Sequence, residues 1–290
     1  MKEDFRLEVE RNYDSLLLAL EDMLQISGRQ FRRMIRQRLV FVDGEFPARP
    51  KPVQKGSVIS IRFPKETIEY PAEPIPLEVL YEDEDMIAVN KPPYMLTHPS
   101  KDANSGTLAN AIAGYFKEIG LKRKARFVNR LDMNTSGIVL VAKHSYAHQQ
   151  LSDQDKIKTY QTLVEGIPPE EGLIEAPIAR DLTEASVRRI IHPDGKPSKT
   201  GFKRLDTHCG VSLLEVRLYT GRTHQIRVHL SHKGWPILGD TLYGNGDKAP
   251  RQMLHAASLT VTSLRTKKPI VINAPIPADF MKLLTNCKTL

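Results

Sequence analysis

Leu16, Leu17, Leu20, Met23 and Leu24 recur at helical spacing and predict a first helix. Ser27 and Gln30 then have the form of a capping box, with Ser27 as N-cap and Gln30 reaching back. The helix they open should run from residue 29 to about 39, with Phe31, Ile35 and Leu39 on one face. Arg29, Arg32, Arg33 and Arg36 crowd the other faces, and no acidic residue interrupts them. Residues 39–42 read as a strand ending in the hairpin signal Asp43-Gly44. Lys55-Gly56 precedes a second strand at residues 58–61. This stretch has the make-up of a self-contained unit.

Pro64, Pro71, Pro74 and Pro76 follow, and proline at this density predicts an extended linker over 64–76. A new pattern begins at Leu77. Apolar runs at 77–81 and 86–90 flank Glu82-Asp83-Glu84-Asp85, which predicts two strands joined by an acidic turn, the second ended by Lys91-Pro92-Pro93. Residues 107–117 read as a helix. Strand-like segments recur at 137–142, 159–165, 211–219 and 258–263. There is no repeat of 20–50 residues and no regular βαβ alternation. The expected class is therefore α+β with a mixed, mostly antiparallel sheet, preceded by a small α/β domain. The expected divisions are 1–63, 64–76 and 77–290.

Charge changes this picture more than bulk composition does. The 290 residues are 40% hydrophobic and 26% charged, which is ordinary globular material. The net charge of +8 favours polyanionic partners. The uncompensated arginines sharpen that point, because like charges four residues apart on a helix cost stability unless something neutralises them. They read as a phosphate-binding surface, the alternative being a solvated face. Cys209 and Cys287 are far apart and in no metal-type spacing, so two free thiols are expected. No apolar leader follows the N-terminus and no stretch is long enough to span a bilayer, so a cytoplasmic protein is expected.

Four stretches carry candidate chemistry, the fourth being Pro236-Ile237-Leu238-Gly239-Asp240-Thr241-Leu242-Tyr243-Gly244. The first, Asn129-Arg130-Leu131-Asp132-Met133-Asn134-Thr135-Ser136-Gly137, places a carboxylate just before an apolar strand. On its own Asp132 is equally an Asp bonding its own turn. The second is Lys156-Ile157-Lys158-Thr159-Tyr160, ahead of an apolar strand. The third is Tyr219-Thr220-Gly221-Arg222-Thr223-His224-Gln225-Ile226-Arg227-Val228-His229-Leu230. Thr223 should cap a helix whose first turn holds Arg227, with Gly234 and Pro236 ending it. A helix N-terminus is electropositive and suits an anion or carboxylate partner. His224, His229 and His232 lack a carboxylate or thiol pattern to complete a metal site. No phosphate loop, dinucleotide fingerprint or G-x-S-x-G elbow is present.

Two resemblances follow from these residues. ISGRQFRRMIRQRLVFVDG with KGSVISI is similar to the S-four type (αL) RNA-binding domain, over about residues 12–63. NRLDMNTSGIVLVAK, KTY, TGRTHQIRVHL and PILGDTLYG, in that order, resemble the RluA-type pseudouridine synthases, over about residues 77–280. LYEDEDMIAVNKPPYMLTHPS and MLHAASL also fit. Asn129 stands where that family most often has His.

The resemblance implies an isomerase converting uridine to pseudouridine in structured RNA, with no cofactor and no metal. It implies Asp132 as the reacting residue, Arg227 as its ion-pair partner and Tyr160 stacked on the uracil. Leu254 would wall the pocket, and Arg130 would fill the gap left by the extracted base. Arg222 and the arginines at 29, 32, 33 and 36 would contact RNA. Whether Asp132 attacks the sugar, stabilises its charge or removes a proton stays open. Large-subunit ribosomal RNA is the expected target. Transfer RNA, or a non-catalytic role in ribosome assembly, are the alternatives. A monomer is expected.

Overall fold

The computed structural model describes residues 5–47, 51–63, 66, 67, 69–100, 103–183 and 188–288, with side chains through 283. The chain divides into two compact units, Met1–Glu66 and Thr67–Leu290.

The first unit contains β1 (Phe5–Glu8), α1 (Leu16–Leu24), α2 (Gly28–Arg36), β2 (Val40–Val42) and β3 (Val58–Ile61). Its antiparallel sheet has the order β1-β3-β2. The capping box at α2 is formed. The Gln30 N–H donates to Ser27 Oγ at 3.4 Å, and Gln30 Oε1 accepts the Ser27 N–H at 2.8 Å. The helix stops at Arg36, short of the expected residue 39. Arg38 turns left-handed at φ 51°. The Leu39 N–H then reaches back to Met34 O and the Arg38 N–H to Ile35 O. This is a Schellman closure, with an arginine where glycine is usual. Asp43 and Gly44 both have positive φ, 50° and 84°, as a two-residue primed hairpin turn requires. Arg29, Arg32, Arg33 and Arg36 are all exposed.

The second unit contains β4 (Val79–Glu82), β5 (Met86–Lys91), α3 (Leu108–Glu118), β6 (Arg126–Phe127), β7 (Ser136–Ala142), α4 (Ser145–Asp153) and β8 (Ile157–Glu165). There follow β9 (Glu171–Glu175), β10 (Ile178–Arg180), β11 (Arg189–Ile191), β12 (Lys199–His208), β13 (Val211–Leu218) and α5 (Gln225–His232). The chain closes with β14 (Leu254–Thr262), β15 (Pro269–Asn273) and α6 (Ala278–Lys288). One sheet runs β4-β5-β7-β14-β8-β13-β12-β9, with β6 paired to β7 and β15 to β14. Strands β10 and β11 form a separate pair.

The described pairs are antiparallel except one. Strands β7 and β14 run parallel through only two registered pairs, Ser136 with His255 and Gly137 with Ala256. Antiparallel neighbours β8 and β13 register over eight. Gly137, at φ 111°, explains the glycine that ends the first motif. A Cβ there would lie 2.3 Å from Ala256 O. Side chains cross this seam as well. Ser136 Oγ bonds His255 Nδ1 at 2.9 Å, Gln252 Nε2 donates to Thr135 Oγ1 at 3.3 Å, and Arg251 Nη1 donates to Asn134 O at 3.1 Å.

Side chains alternate across strands, so Tyr160 and Val164 face one side of β8 and Leu163 the other. Helices α3 and α5 pack on the Tyr160 side, through Leu108, Ile112, Phe116, Ile226 and Leu230. Phe280 of α6 packs on the Leu163 side. The expected linker needs correction in its second half; residues 64, 65 and 68 lie outside the described residues. Asn110 Nδ2 donates to Pro71 O at 3.0 Å, and the Glu73 N–H donates to Asn110 O at 3.2 Å. The Glu73 carboxylate accepts the Gly106 N–H at 3.0 Å. This segment lies flush on α3, since a Cβ at Gly114 would meet Glu73 O at 2.0 Å. Proline removes an N–H at position 71 but leaves a carbonyl that Asn110 of α3 uses. The boundary therefore falls at 66/67, earlier than 76/77.

Strands β1, β6, β9 to β12 and β15, and helices α4 and α6, are additions to the sequence reading. Strand β14 begins at Leu254, earlier than the expected 258, because its first residues pair with β8 and β7. No helix among the described residues is long and apolar enough to cross a membrane.

Candidate active site

The loop between β6 and β7 is held on both flanks of Asp132. Asn129 extends the β6–β7 pairing with its side chain. Its Oδ1 accepts the Leu140 N–H at 2.8 Å and its Nδ2 donates to Ile138 O at 3.0 Å. Thr97 Oγ1 donates to Leu131 O at 2.8 Å, and Leu131 is buried. On the other flank Lys91 Nζ donates to Met133 O at 3.0 Å. The same ammonium donates to Pro92 O and Met95 O, so all three of its protons meet carbonyls. Burial above all, then Arg251, pulls the Lys91 pKa down to about 7, while Asp132 opposes the fall.

Arg227 is the third residue of α5 and is buried. Its Nη1 donates to Asp132 Oδ2 at 2.9 Å. Its Nε and Nη2 donate to Asp240 at 2.7 and 2.8 Å, a bidentate contact. Asp240 is fully buried, and its Oδ1 also accepts the N–H groups of Leu242 and Tyr243. Burial works against the charge on Arg227. Asp240 first, and Asp132 after it, outweigh that, and the pKa rises. The Tyr243 ring lies under the guanidinium, 5.1 Å from centroid to Cζ.

The start of α5 differs from expectation. The N-cap is His224, at φ 58° and ψ 18°, and it makes no side-chain cap bond. Gln225 closes the turn instead. Its Oε1 accepts the Arg222 N–H at 3.0 Å and the Thr220 hydroxyl at 2.8 Å. Thr223 is not the cap because the left-handed His224 intervenes. His229 is spent within the fold, bonded to Thr200 Oγ1 at 2.9 Å and Ala176 O at 3.0 Å. Among the described residues no group of three or more His, Cys, Asp or Glu could hold a metal.

One cavity gathers Asp132, Arg227, Tyr160, Leu254, Arg130 and Arg222, with Leu131, Thr135, Leu218, His224, Gln225 and Ile226. Tyr160 sits on β8, buried, its pKa raised by burial and then by Asp132. Leu254 opens β14. Arg130 and Arg222 are exposed at the rim. Lys158, two residues before Tyr160, has its pKa lowered by burial and no carboxylate partner among the described residues. The four arginines of α2 belong to the other unit. Asp240, His224, Lys91 and Thr97 complete the surroundings of Asp132, and sequence reasoning gave them no role. Asp240 and Lys91 stand inside the family-like motifs, but nothing local says that Lys91 meets a loop 42 residues away or that Asp240 clamps Arg227. A carboxylate with one oxygen held and the other unengaged can attack carbon, stabilise positive charge or take a proton.

The family model described as RNA pseudouridylate synthase matches residues 85–232. An uncharacterized RNA pseudouridine synthase of Chloroflexus aurantiacus is 43% identical over 280 residues, covering 90% of this chain and 86% of that protein. The ribosomal large subunit pseudouridine synthase D of Haemophilus ducreyi is 32% identical over 315 residues, covering 100% of this chain and 97% of that protein. Human RNA pseudouridylate synthase domain containing 1 is similar in structure, with TM-score 0.59 and 26% identity. The match covers 76% of this chain and 98% of that one. By sequence and by fold, the chain belongs to the RluA-type RNA pseudouridine synthases, isomerases that act on RNA.

Proposed function

We propose that this protein isomerises specific uridines of large-subunit ribosomal RNA, with Asp132 as the reacting carboxylate. The observation that carries this reading is the pairing of Asp132 Oδ2 with Arg227 inside the cavity lined by Tyr160 and Leu254. The N-glycosidic bond breaks, the uracil turns, and its C5 is joined to the same ribose carbon while the C5 proton leaves and N1 takes one up. Atoms and electrons balance without oxidant, reductant or added group, so the residues of the chain suffice.

Cleavage places positive character on the sugar, as in glycoside hydrolysis, and a carboxylate beside it lowers that barrier. A paired base must leave its stack to be reached. Tyr160 offers a ring for the uracil and Leu254 an apolar wall. Arg130, exposed at the rim, fills the vacated space in the RNA. Arg222 and the uncompensated Lys158 meet phosphates. The first unit acts as an S-four type RNA-binding domain, through Arg29, Arg32, Arg33 and Arg36. Support for ribosomal RNA comes from relatives named for it, such as the Haemophilus ducreyi protein. The protein works as a cytoplasmic monomer.

The test is pseudouridine mapping of ribosomal and transfer RNA from cells with and without the gene, complemented by wild type or Asp132→Asn. The reading requires a large-subunit site that disappears without the gene and returns only with wild type. A missing site in transfer RNA moves the target. No missing site, with a purified protein that binds RNA but does not turn over, makes the chain a binding protein.

A further inference from the structure

Two nitrogens face one oxygen of Asp132. Arg227 Nη1 bonds Oδ2 at 2.9 Å, and His224 Nε2 stands 3.7 Å from the same atom. Oδ1 has no partner among the described residues. The His224 side chain is 10% exposed and lines the cavity beside Tyr160 and Leu254. It is held there in a left-handed backbone conformation that side chains other than Asn, Asp and His seldom adopt. Such outliers, where the surroundings enforce them, cluster at functional sites.

The ring is fixed from behind. Tyr243 Oη accepts the backbone N–H of Arg189 at 2.7 Å and lies 2.9 Å from His224 Nδ1. With the Arg189 N–H on one lone pair, a Tyr243 hydroxyl that gives its proton to Nδ1 leaves the ring proton on Nε2. Nε2 is the nitrogen that faces Asp132. Burial lowers the pKa of the ring; Asp132 opposes this, and Arg227 and Arg189 add to the fall.

We propose that His224 is a neutral hydrogen-bond donor that, with Arg227, holds Asp132 by Oδ2 and so presents Oδ1 to the ribose. At 3.7 Å the contact is too long for a hydrogen bond. It closes to about 2.9 Å, a charge-assisted length, when a nucleoside fills the cavity beside the pair. His224 is thus a positioning residue that acts through Asp132. The inference rests on the reading of Asp132 as the reacting group.

The full-length protein is given a ribosomal RNA fragment containing uridine tritiated at C5, and tritium release is followed in single turnover. His224→Gln keeps an amide nitrogen at the Nε2 position. His224→Asn keeps only the Nδ1 position and tolerates the left-handed backbone. The expected loss for His224→Asn is about ten- to a hundred-fold in maximal rate, the value of a charge-assisted hydrogen bond. The half-saturating RNA concentration should stay within about threefold, and the Gln variant should recover most of the rate. Wild-type rates in His224→Asn overturn the proposal. So does equal impairment of Asn and Gln, which would make the ring a packing group, and so does a loss confined to affinity. Asp132→Asn is run beside them. Tritium release by that variant would instead sink the reading of the site itself.

Discussion

Two carboxylates grip the same guanidinium, yet their replacement should have opposite consequences. Asp240 is fully buried and holds Arg227 by two bonds of 2.7 and 2.8 Å. In Asp240→Asn the side-chain oxygen can still accept the Leu242 and Tyr243 N–H groups, but an amide N–H₂ now faces an Arg227 donor. Breaking a buried ion pair costs about 3–5 kcal/mol. Arg227 keeps Asp132, so the low end applies, about 3 kcal/mol. For a unit of this size each kcal/mol lowers the melting temperature by about 2–4 °C, giving a fall of about 6–12 °C. Asp132 is different. Its side chain is 23% exposed and holds Arg227 by one bond, while Asp240 retains the other two. Asp132→Asn should therefore cost no more than about 1 kcal/mol, close to the value of one ordinary hydrogen bond, and abolish isomerisation. The assay is thermal unfolding by circular dichroism at pH 7, with tritium release on the same preparations. A fall of under about 2 °C for Asp240→Asn, or equal falls for the two variants, would refute this division of labour.

Tyr160→Phe should bind RNA like wild type and Tyr160→Ala should lose about 1–3 kcal/mol of base stacking, measured by fluorescence titration; equal binding by both excludes stacking. Gly137→Ala must drive its Cβ away from Ala256 O, 2.3 Å distant, and should lower the melting temperature far more than the open-space change Gly120→Ala. Burial drops His255 from 6.5 to about 4. Between those values the unfolded chain takes up a proton that the folded one refuses. Stability is then full above pH 6.5 and falls as the pH drops to 4, by up to about 3 kcal/mol, and His255→Gln should flatten the urea-measured slope by nearly one proton. A protein truncated to begin at Thr67, which retains Glu73 on α3, should fold and react. Its salt slope on a long ribosomal fragment should be lower by about 0.7–0.9 for each phosphate that α2 no longer neutralises, and an unchanged slope refutes the role given to α2.

Local signals carry much of the architecture. The Ser27–Gln30 box and the Asp43-Gly44 turn are written in neighbouring residues, and both form. Where sequence reasoning falls short, the cause is a dihedral angle or a distant partner. Nothing in Arg38 announces a left-handed residue, so the apolar pattern carries α2 three residues too far. Nothing in His224 does either, and the pattern gives the cap to Thr223. Strand β12 contains Gly201 and charged side chains, and only pairing with β9 and β13 makes it a strand. Helix α4 is capped by His144, not a usual cap residue, whose Nδ1 accepts the Ala147 N–H at 3.1 Å. Asp132, Tyr160 and Arg227 are legible because each sits in a dense motif. That Asp240 rather than Asp132 is the main counterion of Arg227 follows only from the folded geometry.

The parallel seam between β7 and β14 divides the sheet mechanically. Asp132 is carried by the half that ends at β7. Arg227, Tyr160 and Leu254 belong to the half that begins at β14. The separation of the carboxylate from its guanidinium is thus a gauge of how tightly the two halves are shut. Only two registered backbone pairs join the strands there, beside side-chain bonds, the Asp85–Arg265 ion pair and a shared apolar core. Amides at the seam should exchange with solvent sooner than those between β8 and β13, where eight registered pairs hold. Local fraying at the seam would part Asp132 from Arg227 before strands away from it are lost.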